Sequence, residues 1–244
     1  MSMRPSRGAQ LPYHLLAGVI PVPRGWLVAS AKHQGATMAP EEPHFASSFV
    51  DVLDYKPAYQ VIALFAPIGL LDTPIEKGRA CERAARRLLG VPRANAIASA
   101  PVRAALDCST YEDARTACGG HLSPVRWRQV QKIGEVDKAI APYWQRTVFE
   151  VHPELSFLQL NDDRPLRYSK HTQAGLAERR ELLELRIPGV EKTLDARLAG
   201  VGLSQLLDAA ACLWTARRII SRAISRLPED PQWDSLGLRM ELVR

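Results

Sequence analysis

The sequence predicts an α/β fold: a mixed sheet, with an antiparallel meander continued by parallel strands, flanked by helices. Three observations carry that expectation. Strand-like segments crowd the first third of the chain, an unbroken apolar run follows at Val61–Ala66, and from there strand character alternates with helical periodicity. The 244 residues are 46% hydrophobic and 24% charged, enough to bury a core and outside the disordered, collagen-like and coiled-coil classes.

Leu15–Ile20 reads as a first strand, a Pro-Arg-Gly turn leads into a second at Trp26–Ala31, and Phe45–Leu53 reads as a third. Val61–Ala66, ended by Pro67 and Gly69, suits a strand covered on both faces at the centre of the sheet. Glu76–Leu89 has helical spacing, with Ala80, Ala84, Ala85, Leu88 and Leu89 on one side and Arg79, Arg83, Arg86 and Arg87 away from it. Residues from about 99 to 142 are punctuated by Gly and Pro, with short helical pieces such as Trp127–Ile133, and read as an insertion in a single domain spanning 1–244. Strand character returns at Arg146–Leu155, and Thr172–Glu184 is a charged helix. Ser204–Leu227 carries apolar residues at helical spacing up to Pro228, with Arg218, Arg222 and Arg226 as a basic stripe.

The longest apolar run, Val61–Leu71, is eleven residues and holds Pro67 and Gly69, short of the roughly 18 a spanning helix needs, so a soluble protein with no membrane partner is expected. Arg4 and Arg7 ahead of Leu15–Val22, with Ala29-Ser30-Ala31 beyond, offer a secretory-leader alternative that Pro21, Pro23 and Arg24 interrupt. Four scattered cysteines fit a reducing cytoplasm better than a disulfide framework, and Cys118-Gly-Gly-His121 lacks the second ligand pair of a zinc site. A net charge of +6 permits anionic partners without requiring them.

The blocks Gly25-Trp26-Leu27-Val28-Ala29, Pro67-Ile68-Gly69-Leu70, Arg79-Ala80-Cys81-Glu82-Arg83, Lys132-Ile133-Gly134-Glu135, Glu150-Val151-His152-Pro153-Glu154, Ser169-Lys170-His171-Thr172 and Gly237-Leu238-Arg239-Met240-Glu241 occur in one order along nearly the whole chain. In that set and order the sequence resembles an uncharacterised, mostly bacterial and archaeal family of predicted nucleases with an RNase H-like fold. The resemblance implies three antiparallel strands, two more joined through helices, and a late helix packed on the sheet. It also implies carboxylates that converge on one or two Mg²⁺ or Mn²⁺ ions to cleave phosphodiesters.

The sequence departs from that pattern where metal ligands belong. Ile20 and Phe65 stand where the family carries aspartates, and Ser204-Gln205 replace an Asp-Asp pair. Glu150 and Asp208 survive as catalytic and metal-ligand candidates, with Glu154 and Asp72 as helpers and His152 between the glutamates. The same carboxylates equally suit capping or pairing with arginine. Arg79, Arg83, Lys132, Lys170 and Arg222 are the nucleic-acid-binding candidates, and Trp127 between Arg126 and Arg128 offers either a stacking platform or a core residue.

The expectation is therefore a divergent, catalytically impaired RNase H-like protein that binds nucleic acid or protein and needs no cofactor. Two alternatives stand beside it: an active Mg²⁺- or Mn²⁺-dependent nuclease working through Glu150 and Asp208, and a structural or regulatory protein, self-associating or bound to another chain, without nucleic-acid contact.

Overall fold

The computed structural model describes residues 12–244; Arg4 and Arg7 of the leader alternative lie outside them. Strands β1 (His14–Val22) and β2 (Gly25–Gln34) form an antiparallel hairpin. β2 also pairs antiparallel with β3 (Thr37–Pro40) and β4 (His44–Ala46). On its other side β1 pairs parallel with β5 (Val61–Leu64), which pairs parallel with β6 (Val148–Glu150). The main sheet therefore runs β3-β2-β1-β5-β6, an α/β architecture mixing parallel and antiparallel strands with helices on both faces.

Every residue from Leu15 to Ile20 is buried, because β1 is covered on both faces. Leu16 and Ile20 face a core built with Leu207, Ala210 and Leu213 of the last helix, α9 (Leu203–Ile220). Leu15, Ala17 and Val19 face the opposite core, with Trp26, Ile62 and Leu64. Gly18 lies on the α9 face, where a Cβ would overlap the backbone at Ala209 and Leu213; glycine is what lets the helix approach the strand this closely.

Two helices cover the second face. The Phe45–Leu53 segment expected as one strand is strand only through Ala46, and Phe49–Leu53 is helix α1. A local capping box turns it: Asp51 N donates to Ser48 Oγ and Ser48 N to Asp51 Oδ2, at 3.2 and 2.9 Å. Helix α2 (Ala80–Leu89) starts four residues later than its periodicity suggests, because Lys77 and Gly78 adopt positive φ. The 99–142 segment contains α3 (Tyr111–Ala117), α4 (Pro124–Trp127) and α5 (Val130–Ala139), so the expected Trp127–Ile133 piece is two helices. Val102, Ala105, Ala114, Cys118 and Leu122 form a small core there, against which Trp127 packs, while Val136 of α5 joins the core beneath α1.

Arg146–Leu155 is likewise split. β6 ends at Glu150, and Pro153 opens helix α6 (Pro153–Leu160), where its missing N–H costs nothing. Thr172 caps α7 (Gln173–Arg186), and the short α8 (Glu191–Leu194) follows. α9 ends at Ile220, well before Pro228, because Arg222 takes φ +56° and the chain enters a hairpin of β7 (Arg226–Trp233) and β8 (Arg239–Val243). The stripe of Arg218, Arg222 and Arg226 is accordingly not one helical face. Among the described residues no helix is long and apolar enough to cross a membrane.

Gly18→Ala is expected to destabilise the fold by about 3 kcal/mol or more, since the added methyl meets backbone instead of a movable side chain. A urea midpoint within error of the parent would contradict the close approach of α9.

Candidate functional site

Strands β1, β5 and β6 run parallel, and their carboxyl ends lie at one edge of the sheet, the edge where open α/β sheets bind ligands. A cleft of about 930 Å³ opens there. Phe65, just past β5, and His152, just past β6, lie at its base; residues 92–99, 121–129 and 169–171 wall it. Phe65 half-exposes its ring edge-on to His152, centroids 4.8 Å apart, whereas Ile20 is sealed in the core under α9.

Glu150 ends β6 beneath the cleft, 6% exposed. Arg79, the residue capping α2, grips it with both terminal nitrogens: Nη1 donates to Oε2 at 2.8 Å and Nη2 to Oε1 at 2.5 Å. Ile68 N donates to Oε2 at 2.7 Å. Arg79 further donates through Nε to Glu82 Oε1 and through Nη1 to the Ile68 and Gly69 carbonyls. Burial raises the proton affinity of Glu150, and Arg79 and the Ile68 amide oppose that rise. Arg79, expected on a basic surface, is thus an interior residue with its guanidinium fully engaged.

Asp208, in the second turn of α9, belongs to another cluster. Its Oδ2 accepts from Lys170 Nζ at 2.9 Å, while Oδ1 is buried with no partner among the described residues. Burial pushes this carboxyl up, against the pull of Lys170. Beside it Arg179 Nη2 donates to both oxygens of Glu154, at 2.8 and 3.1 Å, both side chains buried. Glu150 and Asp208 share no hydrogen-bond partner.

His152 caps α6: Glu154 N donates to its Nδ1 at 3.2 Å, which assigns the proton to Nε2. Burial, then Lys170 and Arg126, hold the imidazole down at about 3, so it is neutral throughout the physiological range.

Of the nucleic-acid candidates only Lys170 lines the cleft. Arg83 donates to the Gly78 carbonyl, and Lys132 pairs with Glu135 at 2.7 Å over the Trp26 ring, on the α1 and α5 side of the sheet. Arg222 is exposed in the turn after α9. Two further cations line the cleft, Arg93, which the sequence did not single out, and Arg126, which it offered only as a neighbour of Trp127. Arg93 donates to the Leu166 and Tyr168 carbonyls, and Arg126 is buried at the base, donating to the Ser99 and Ala98 carbonyls and to Gln129 Oε1. Nothing in their local spacing distinguishes them from surface arginines. The charged lining is Arg93, Arg126 and Lys170 against Glu154, which Arg179 neutralises.

A family model described as protein of unknown function (DUF429) matches residues 18–232. The chain belongs to that family. No curated protein and no solved structure matches it. In this DUF429 chain the matched span includes β1 from Gly18 onward and all of β5, β6 and α9, the elements that hold the cleft and both carboxylate clusters, and the family description carries no activity.

Arg79→Ala leaves Glu150 buried with no hydrogen-bonded cation and is expected to cost about 3–5 kcal/mol, of which Glu150→Gln in the same chain recovers a measurable part. Equal urea stability of the single and double variants would show that the pair is not coupled. The imidazole titrates near 6.5 in the unfolded chain and about 3 in the folded one, so the unfolded state binds more protons between those values and stability falls as pH drops from 6.5. His152→Asn keeps a capping group and should lose less stability between about pH 6.5 and 4, by about 3 kcal/mol. A parent and variant with parallel profiles would refute a buried neutral histidine.

Proposed function

We propose that this DUF429 protein is a divergent RNase H-like module that binds nucleic acid through its basic cleft and has impaired phosphodiesterase activity. The sheet supports the RNase H-like reading: an antiparallel β1-β2-β3 run with the short β4 also on β2, two parallel strands reached through helices, and α9 laid on β1. One observation carries the loss of activity, namely that the chain's own cations occupy both surviving carboxylates, Arg79 on Glu150 and Lys170 on Asp208.

That donor set does not fit Mg²⁺ or Mn²⁺, which takes about six oxygens in octahedral array. Both oxygens of Glu150 are engaged by Arg79, both of Glu154 by Arg179, and Asp208 offers one unengaged oxygen. Among the described residues no three His, Cys, Asp or Glu side chains are disposed around a common metal position. Ile20 and Phe65 add no oxygen. What the cleft offers instead is positive charge, from Lys170 and Arg126, over a base that Phe65 makes partly apolar. Such a surface suits a phosphate backbone and the face of a base. The free thiols of Cys81, Cys108, Cys118 and Cys212 suit the reducing cytoplasm.

The test is anisotropy of labelled single-stranded DNA and RNA, run with EDTA and with Mn²⁺ and followed on a gel. The proposal expects affinity that falls about tenfold or more between 50 and 200 mM salt, is unchanged by EDTA, weakens in Lys170→Gln, and produces no cleavage. Manganese-dependent cleavage that disappears in Asp208→Asn would favour the active nuclease, the reading to which the unpartnered Asp208 oxygen belongs. No binding at 50 mM salt would overturn nucleic-acid recognition in favour of a protein partner.

A further inference from the structure

We infer that the cleft holds a terminal phosphoryl group, a phosphomonoester at the end of a nucleotide chain, and that Arg126 is the residue that anchors it. Arg126 sits on α4, 8% exposed, at the junction between the main cleft and a small recess behind it lined by Phe65, Glu150 and His152. A guanidinium carries five N–H donors. Three are used, by the Ser99 and Ala98 carbonyls at 3.2 and 2.7 Å and by Gln129 Oε1 at 3.0 Å, and none of these acceptors is charged. One N–H on each terminal nitrogen has no partner among the described residues.

The carboxylates whose fields reach Arg126, Glu82 and Glu150, are hydrogen-bonded to Arg79 instead. Arg126 is therefore a buried cation without a bonded counter-ion. Keeping a charge in such a place is costly unless an anion neutralises it, and burial, with the nearby Arg79 and Arg86, indeed presses this guanidinium towards its neutral form. The structural role of the side chain, tying α4 to Ala98, Ser99 and Gln129, needs only its three engaged hydrogens. The remaining two face a problem that a ligand solves.

The ligand class follows from charge and shape. A planar fork matches the tetrahedral oxygens of phosphate. Lys170 lines the same cleft, its side chain partly exposed and its ammonium using one donor on Asp208, and His121 and His171 are exposed on its walls. This concentration of donors favours a monoester, at a charge of about −1.5 to −2, over the single charge of an internal diester. At about 930 Å³ the space exceeds what a phosphate needs and leaves room for an attached nucleoside beside Phe65. The inference rests on the preceding reading only for the chain that carries the phosphate; the anion site itself stands on Arg126.

Two arms separate the sources. The first competes a labelled oligonucleotide with unlabelled copies that bear a phosphate or a hydroxyl at the end, at fixed salt. A phosphorylated end should compete at least about tenfold better, the yield of one charge-assisted hydrogen bond, and in Arg126→Gln the phosphate-ended and hydroxyl-ended strands should compete equally, whatever overall affinity the lost cleft charge removes from both. The second follows melting temperature in millimolar inorganic phosphate at matched ionic strength, which should rise for the parent and not for Arg126→Gln. Arg126→Lys keeps the charge without the fork and should retain only part of the preference. Should the variants fail to fold, both arms still read on the parent protein. Strand binding blind to the end group, with no phosphate stabilisation, overturns the inference and leaves nucleic-acid binding standing. Phosphate stabilisation without any strand binding does the reverse.

Discussion

A single buried guanidinium organises the carboxyl edge of the sheet. Arg79 receives the end of β6 through Glu150, the turn after β5 through the Ile68 and Gly69 carbonyls, and its own helix through Glu82. It joins two neighbouring strands and α2 to one charge. A charge in such surroundings tolerates the loss of its partner poorly, because the desolvation already incurred is then uncompensated. The same logic repeats at smaller scale where Arg179 grips Glu154 and Lys170 meets Asp208. Acidic side chains at this edge are thus structural anchors, and the cavity above them is left with the surplus cations.

If the scaffold is RNase H-like, as proposed, that arrangement is a way to lose metal chemistry without losing shape. On the proposed reading, Ile20 and Phe65 stand in for two ligands, and the remaining carboxylates are left with no metal counter-charge in a poorly hydrated place. Protein cations are the remaining means of neutralising them. Ile20 then extends the α9 core, and Phe65 lends the cleft an apolar wall. Charge balance carries the same pressure to Arg126, whose neighbouring carboxylates are already committed.

Much of the sheet was legible because burial on both faces leaves continuous apolar runs. β1, β2 and β5 declare themselves this way, and the apolar spacing of α9 likewise. The errors have local causes. Phe49–Leu53 has strand-like composition, but a four-residue capping box wins over it. Helical spacing continues through Ile224 and Leu227 although Arg222 has already left the helix. β7 was invisible because Arg226–Trp233 has no fully buried residue and no apolar alternation, and β8, though buried from Met240 to Val243, is only five residues long. At the site, sequence singled out Glu150 and Asp208 but gave no sign of their partners, Arg79 and Lys170. Arg79 and Glu150 are 71 positions apart, and Arg79 shares helical spacing with Arg83, so nothing local says which arginine turns inward. Arg126 was visible only as a neighbour of Trp127.

The most direct test of these internal ion pairs is calorimetric titration of the parent protein with Mn²⁺, at neutral pH and low salt. If Arg79 and Lys170 hold the carboxylates as described, no saturable heat appears at millimolar metal, and Asp208→Asn gives the same trace. Stoichiometric binding in the micromolar range that vanishes in Asp208→Asn would mean that the carboxylates are available to a metal, and the account of a scaffold whose acids are neutralised from within would be wrong.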